Sequence, residues 1–168
     1  DSGYLGFEYD ITDYINYNGE NTIAVRVDAT LEEGWFYEGA GIYRHVWLNK
    51  TNELHVATNG TFIKSEVNNE TAILNVLTTV NNDTKTSKSF KIIQTIFDAN
   101  GEKVTEKSIE NCNLNALISS DYNVNITVEK PILWSLENPY LYKMTTSIIH
   151  NNEIVDTYQT TFGIRTIR

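Results

Sequence analysis

At 168 residues and 40% hydrophobic content, the chain is long enough to bury one core or two small ones. Thirteen basic against twenty-two acidic side chains give a formal net charge of -9 at pH 7, with no Lys/Arg run, which argues against nucleic acid as a partner. No apolar run is long enough for a membrane-spanning helix, and the single cysteine, Cys112, offers neither an internal disulfide nor a thiol-rich metal site.

In chain order, "DSGYLGFEYD" lacks the basic-then-apolar layout of a signal peptide and reads as the start of a piece cut from something longer. Any export signal then lies upstream of Asp1; localisation stays open, with a periplasmic or secreted bacterial setting favoured. "ITDYINYNGEN" allows one helical turn, capped by Thr12 or Asp13 and ended by Asn18-Gly19. In "NTIAVRVD", Ile23, Val25 and Val27 alternate with polar residues, the pattern of a half-buried strand.

Residues 34–48, "GWFYEGAGIYRHVWL", concentrate aromatic and charged side chains. The first half offers Trp35, Phe36, Tyr37 and Glu38 together. Sugar C–H faces pack on aromatic rings while hydroxyls pair with carboxylates, so a sugar-binding loop competes here with simple packing under a domain interface. The second half, from Ile42 to Leu48, reads as a strand with Arg44 on the face of Ile42, Val46 and Leu48. Tyr43, His45 and Trp47 take the other face, so both are covered and Arg44 is expected in a structural ion pair, because a lone buried guanidinium costs several kcal/mol.

From there on the chain predicts strands near 61–67, 72–81, 90–98, 103–110, 122–130, 140–150 and 153–165, rich in Thr, Val, Ile and Tyr and separated by Asn, Asp and Gly clusters. "FDANGEKV" and "IIHNNEIV" are the clearest hairpin turns. Seven strands of this spacing predict an all-β, immunoglobulin-like sandwich over 58–168, without the antibody cysteine pair. Its expected core is Leu74, Val76, Phe90, Ile92, Ile96, Val124, Ile126, Tyr142, Met144, Ile148, Tyr158 and Phe162. After Pro139, a hydroxyl from Tyr140 or Tyr142 is placed to tie the corner. Residues 1–57 hold too few strands to close a sandwich and read as part of a larger β-domain, whose uncovered edges make a homo-oligomer possible.

Catalytic chemistry is scarce. No nucleophile elbow, zincin motif or phosphate loop occurs, and no Cys or carboxylate sits at ligand spacing around His45, His55 or His150. The reading is therefore no metal, no cofactor, no nucleic acid and no membrane partner. Glu32, Glu33 and Glu38 share one loop, but without an opposing wall they read as solvated rather than as a glycosidase pair. Five N-x-S/T triplets, at Asn49, Asn59, Asn69, Asn82 and Asn125, are what an Asn- and Thr-rich chain contains by chance.

Four segments in order, "GFEYDITDYINYNGENTIAVRVD", "GWFYEGAGIYRHVWL", "LWSLENPYLY" and "FGIRTI", resemble glycoside hydrolase family 2, the group containing β-galactosidases and β-glucuronidases. The resemblance implies the C-terminal part of a galactose-binding-like jelly roll over 1–57, then the immunoglobulin-like sandwich, then a (β/α)8 barrel that carries the active site. It implies retaining hydrolysis by two barrel glutamates, one in an Asn-Glu pair. Asn52-Glu53 and Asn152-Glu153 lie in turns of the wrong domain, so no catalytic residue is carried over, and the chain alone is expected to be inactive. The loop before "GIYR" is implied to reach the barrel mouth, which makes Trp35, Tyr37 and Glu38 candidate substrate contacts. Arg165 in "FGIRTI" is implied to lock the sandwich to the barrel through an ion pair. The expected role is a non-catalytic region of a retaining exo-glycosidase, acting on carbohydrate only in the full-length protein. A free-standing carbohydrate-binding or adhesion module is the alternative.

Overall fold

The computed structural model describes residues 5–28, 41–68 and 70–166, which belong to two units, Asp1–Leu48 and Asn49–Arg168. In the second unit the alternating apolar positions form seven strands: β1 (Leu54–Asn68), β2 (Thr71–Asn82), β3 (Lys88–Phe97), β4 (Lys103–Leu114), β5 (Ile118–Glu129), β6 (Tyr142–His150) and β7 (Glu153–Phe162). They make two antiparallel sheets, ordered β1-β2-β5 and β4-β3-β6-β7. The all-β sandwich expected from the sequence is therefore present, with the fourth strand on the edge of the four-stranded sheet rather than beside the fifth.

Both predicted hairpin turns form, with positive φ taken by asparagines in one and by Gly101 (φ 84) in the other. Asn151 and Asn152 take φ 52 and 64 between β6 and β7. Between β3 and β4 the Asp98 carboxylate accepts from the backbone N–H groups of Asn100 (2.9 Å) and Glu102 (2.8 Å).

The largest departure from the predicted strands is at β1, which begins at Leu54 rather than near residue 61. Residues 54–57, placed by the sequence division in the first segment, pair with β2 through Leu54↔Asn82 and Val56↔Val80. A bulge between Val56 and Thr61 breaks the alternation and hides the strand's first half. Gly60 sits at its crossing point, where a Cβ would lie 2.6 Å from the Ala57 carbonyl oxygen and 2.9 Å from that of Thr79.

The core forms between the sheets. Nine of the twelve expected residues are buried, among them Leu74, Ile92, Ile96, Met144 and Ile148 at 0% exposure; Val124, Tyr158 and Phe162 pack at its margin. Leu54, Val56, Ala72, Val80, Cys112, Leu114, Val128 and Ile164 complete it. Each fully buried aliphatic side chain contributes roughly 1.5–3 kcal/mol.

Both tyrosines after Pro139 use their hydroxyls. Ile132 N–H donates to Tyr142 Oη at 2.9 Å, and Ala99 N–H donates to Tyr140 Oη at 3.2 Å. The Tyr142 ring stacks on Phe162 and meets Tyr140 edge-on. Burial pushes the Tyr142 hydroxyl above its ordinary value of 10.0, and does the same to Tyr122 and to the Cys112 thiol, ordinarily 9.0. Because these groups ionise more readily in the unfolded chain, their contribution is complete below those ordinary values and is lost as pH rises through them. Tyr142→Phe is expected to cost about 1 kcal/mol at neutral pH and to flatten this alkaline loss, which urea melts at neutral pH and above pH ~10 would measure.

The first unit departs more from its sequence pattern. Among its described residues the helical turn is a 3-10 turn over Thr12–Tyr14. Asp10, not Thr12 or Asp13, supports it: the carboxylate accepts from Thr12 N–H at 2.9 Å, and hydrogen bonding to Thr12 holds the Asp10 carboxyl below its ordinary value. Residues 20–28 and 41–48 make no sheet ladder, and Ile23, Val25, Val46 and Trp47 are exposed. Alternation specifies an amphipathic strand but not its partner, and a strand is satisfied only by a neighbour's N–H and C=O groups.

Candidate functional site

At the end of the sandwich where β7 finishes, the surface of the second unit carries a groove. An open groove of about 650 Å3 is lined by Phe62, Ser65, Trp134, Leu141, Gly163 and Arg165, among others. Three chain segments meet there. Trp134 N–H donates to the Ile164 carbonyl at 2.8 Å, extending backbone pairing beyond β7. Ser65 on β1 donates through its hydroxyl to the Arg165 carbonyl at 2.9 Å and accepts from Arg165 N–H at 3.3 Å. One side chain thus satisfies both backbone groups of Arg165.

Gly163 is the point of closest approach. A Cβ there would lie 3.0 Å from Trp134 Cβ and 3.1 Å from its Cγ and Cδ1, so the indole lies directly on the glycine. Over the same ring sits the Arg165 guanidinium, 5.1 Å from the centroid, in cation–π geometry. Ile164, between these two residues, points the other way and is fully buried, as strand alternation requires. The segment after β7 is therefore pinned by Ile164, while Trp134 and Arg165 present a flat, cationic, aromatic face beside exposed Phe62 and Leu141.

The candidate substrate contacts Trp35, Tyr37 and Glu38 lie outside the described residues. Arg44 is described. It has φ 71, in the left-handed region, is exposed, and holds its guanidinium 5.1 Å from the Tyr43 ring centroid. The expected strand covered on both faces is not what surrounds it; a left-handed residue interrupts extended backbone. Each histidine has neighbours of its own: His45 meets the Trp47 ring, His55 Nδ1 faces the Asp83 carboxylate at 3.7 Å, and His150 Nδ1 bonds the Ser89 carbonyl at 2.7 Å. Among the described residues no three His, Cys, Asp or Glu side chains gather as metal ligands would.

Comparison with known proteins covers the same span. The family model for the glycosyl hydrolases family 2 matches residues 54–165, from the first residue of β1 to the arginine over Trp134. The chain belongs to this family. It is 38% identical to the β-galactosidase BoGH2A of Bacteroides ovatus over 98% of this chain and 19% of that protein. It is 35% identical to a putative β-glucuronidase of Formosa agariphila, over 98% of this chain and 15% of that one. Among solved structures, a family 2 member from Bacteroides cellulosilyticus matches 95% of this chain and 22% of its own at 34% identity, with a TM-score of 0.88.

This family 2 chain therefore spans about a fifth of the length of the curated relatives it matches. Of the groove residues, the sequence pointed to Arg165 only, and did so through "FGIRTI". Trp134 and Gly163 were legible as members of "LWSLENPYLY" and "FGIRTI", but nothing in their spacing says that one lies on the other. Ser65 carried no signal, since a strand serine is ordinarily solvated.

Proposed function

We propose that this chain is a non-catalytic N-terminal region of a retaining exo-glycosidase, a β-galactosidase in the first instance, which scaffolds a catalytic barrel and shapes the mouth of its substrate pocket. The observation that carries the reading is the near-complete alignment, over 98% of this chain, with one fifth of a β-galactosidase at 38% identity. The groove is consistent with it. Arg165 has its backbone secured by Ser65 and its guanidinium displayed on Trp134, so it is poised for a carboxylate on a neighbouring domain. Arg44, likewise exposed on an aromatic ring, is assigned the same kind of partner. Trp35, Tyr37 and Glu38 are assigned to the substrate pocket of the full-length protein, stacking on and hydrogen-bonding a terminal sugar. Hydrolysis of the O-glycosyl bond belongs to the barrel.

The test uses the full-length protein and the fragment side by side on aryl β-galactosides and β-glucuronides. The full-length protein is expected to cleave the galactoside faster, and the fragment neither. Trp35→Ala, Tyr37→Ala and Glu38→Ala in the full-length protein are each expected to lower kcat/KM by about tenfold, or ~1.4 kcal/mol of transition-state binding. Unchanged kcat and KM in all three would remove the pocket assignment. Tight galactoside binding by the isolated fragment would favour a free-standing carbohydrate-binding module.

A further inference from the structure

The apolar core of the sandwich is two clusters separated by a polar waist. Along β2, Ala72, Leu74 and Val76 belong to one cluster and Val80 to the other; the inward position between them is Thr78. On β3, Ile96 and Ile92 belong to opposite clusters, with Gln94 between them. On β6, Met144 and Ile148 flank Thr146 in the same way. Thr78, Gln94 and Thr146 are each 0% exposed. The register assembles them: Gln94 pairs with Thr146 across the β3–β6 ladder, and Thr61 on β1 pairs with Thr78. Four polar side chains thus form one layer through the middle of a domain that is apolar above and below.

Not every polar atom of that layer has a protein partner. Gln94 Nε2 donates to Thr78 Oγ1 at 2.7 Å, the bond that links the two sheets. Gln94 Oε1, Thr146 Oγ1 and Thr61 Oγ1 are buried with no protein partner. Rotating the Gln94 amide does not repair this. The Thr78 hydroxyl can donate as well as accept, so either amide orientation satisfies one amide atom and turns the other inward, unpaired. Buried polar atoms are almost always partnered, and where protein supplies no partner an internal water commonly does.

We propose that the waist is a binding site for one internal water, held between the side-chain amide of Gln94 and the hydroxyl of Thr146. Paired residues of an antiparallel ladder project to the same face, so the Gln94 and Thr146 side chains lie side by side on the inner face of their sheet. The water donates to Gln94 Oε1 and accepts the Thr146 hydroxyl proton; its second proton is available to the orphaned Thr61 oxygen. The bridged layer then opposes slippage of β3 against β6, because a one-residue shift would turn Gln94 outward and leave the opposing hydroxyls without partners.

A high-resolution crystal structure of the intact protein tests this directly. The expected result is a single ordered peak within about 2.7–3.2 Å of both the Gln94 amide and Thr146 Oγ1. It should vanish in the near-isosteric Thr146→Val and persist in Thr146→Ser, which keeps the hydroxyl. A direct Gln94–Thr146 hydrogen bond with no intervening density would overturn the proposal, and so would a peak unchanged by Thr146→Val. If Thr146→Val does not fold, the wild-type density and the Thr146→Ser structure still decide the outcome.

Discussion

Asn82→Asp is expected to be the most damaging single-atom change in the sandwich, costing about 3–5 kcal/mol at neutral pH, the range for a buried charge stripped of its partner. Asn82 ends β2 and is fully buried. Its amide nitrogen lies 2.9 Å from the Thr86 carbonyl oxygen, 3.1 Å from that of Leu114 and 3.0 Å from that of Asn115. Its carbonyl oxygen accepts from the Thr84 hydroxyl at 2.7 Å and from Thr84 N–H at 3.2 Å. One side chain thus fastens the β2–β3 connection to the turn after β4. A carboxylate keeps the acceptor half but points its second oxygen at three other acceptors, an arrangement that raises its pKa in the folded chain.

The sign of the resulting pH dependence is definite. With the folded-state value raised, the variant is least impaired while the new carboxyl is protonated in both states. Its stability falls as pH rises past the unfolded value of about 3.9, where the unfolded chain ionises first. Denaturant melts of wild type and variant at acidic and neutral pH would measure this; a deficit that does not grow with pH would refute the role given to the three carbonyls. The same burial rules out a glycan at Asn82 in the folded chain, in keeping with the reading of its N-x-T triplet as fortuitous.

Gly163→Val is expected to lower stability by about 1–3 kcal/mol, the cost of overpacking a closed contact. Even a Cβ would press on Trp134 at 3.0–3.1 Å, and the nearest atom is the tryptophan's own Cβ, which cannot swing aside as a side-chain tip can. Relief requires the Trp134 backbone to retreat, which would strain its 2.8 Å bond to the Ile164 carbonyl and lift the indole from under Arg165. In a Trp134→Gly background, which lacks all three close atoms, Gly163→Val should cost less. Additive effects of Gly163→Val and Trp134→Gly in a double-mutant cycle would mean that the contact is not the cause.

Inward-facing residues were legible where strands are regular. Leu74 and Val76 on β2 and Ile92 and Ile96 on β3 alternate without interruption, and a period of two has only one reading against a single buried face. Leu54 and Val56 were missed because the bulge at Asn59-Gly60 inserts residues that break the count. Asn82 and Gln94 were missed for a different reason: polar residues at the end or centre of a strand look solvated until the opposite sheet is placed over them. In the first unit Ile23, Val25 and Val27 alternate as in a half-buried strand, yet all three are exposed and no described neighbour pairs with them.

What the sequence by itself determined is the all-β class, the seven strands of the second unit, its two hairpin turns and membership of glycosyl hydrolase family 2. These rest on local rules, periodicity and turn chemistry, or on ordered motifs that survive divergence. Tertiary structure alone decided that Trp134 lies on Gly163 beneath Arg165, that Ser65 holds the Arg165 backbone, and that Thr78, Gln94 and Thr146 form one buried layer. Each of these depends on which strand lies opposite which. A strand's pattern encodes the face it buries, but its neighbour is chosen by the packing of the whole sandwich.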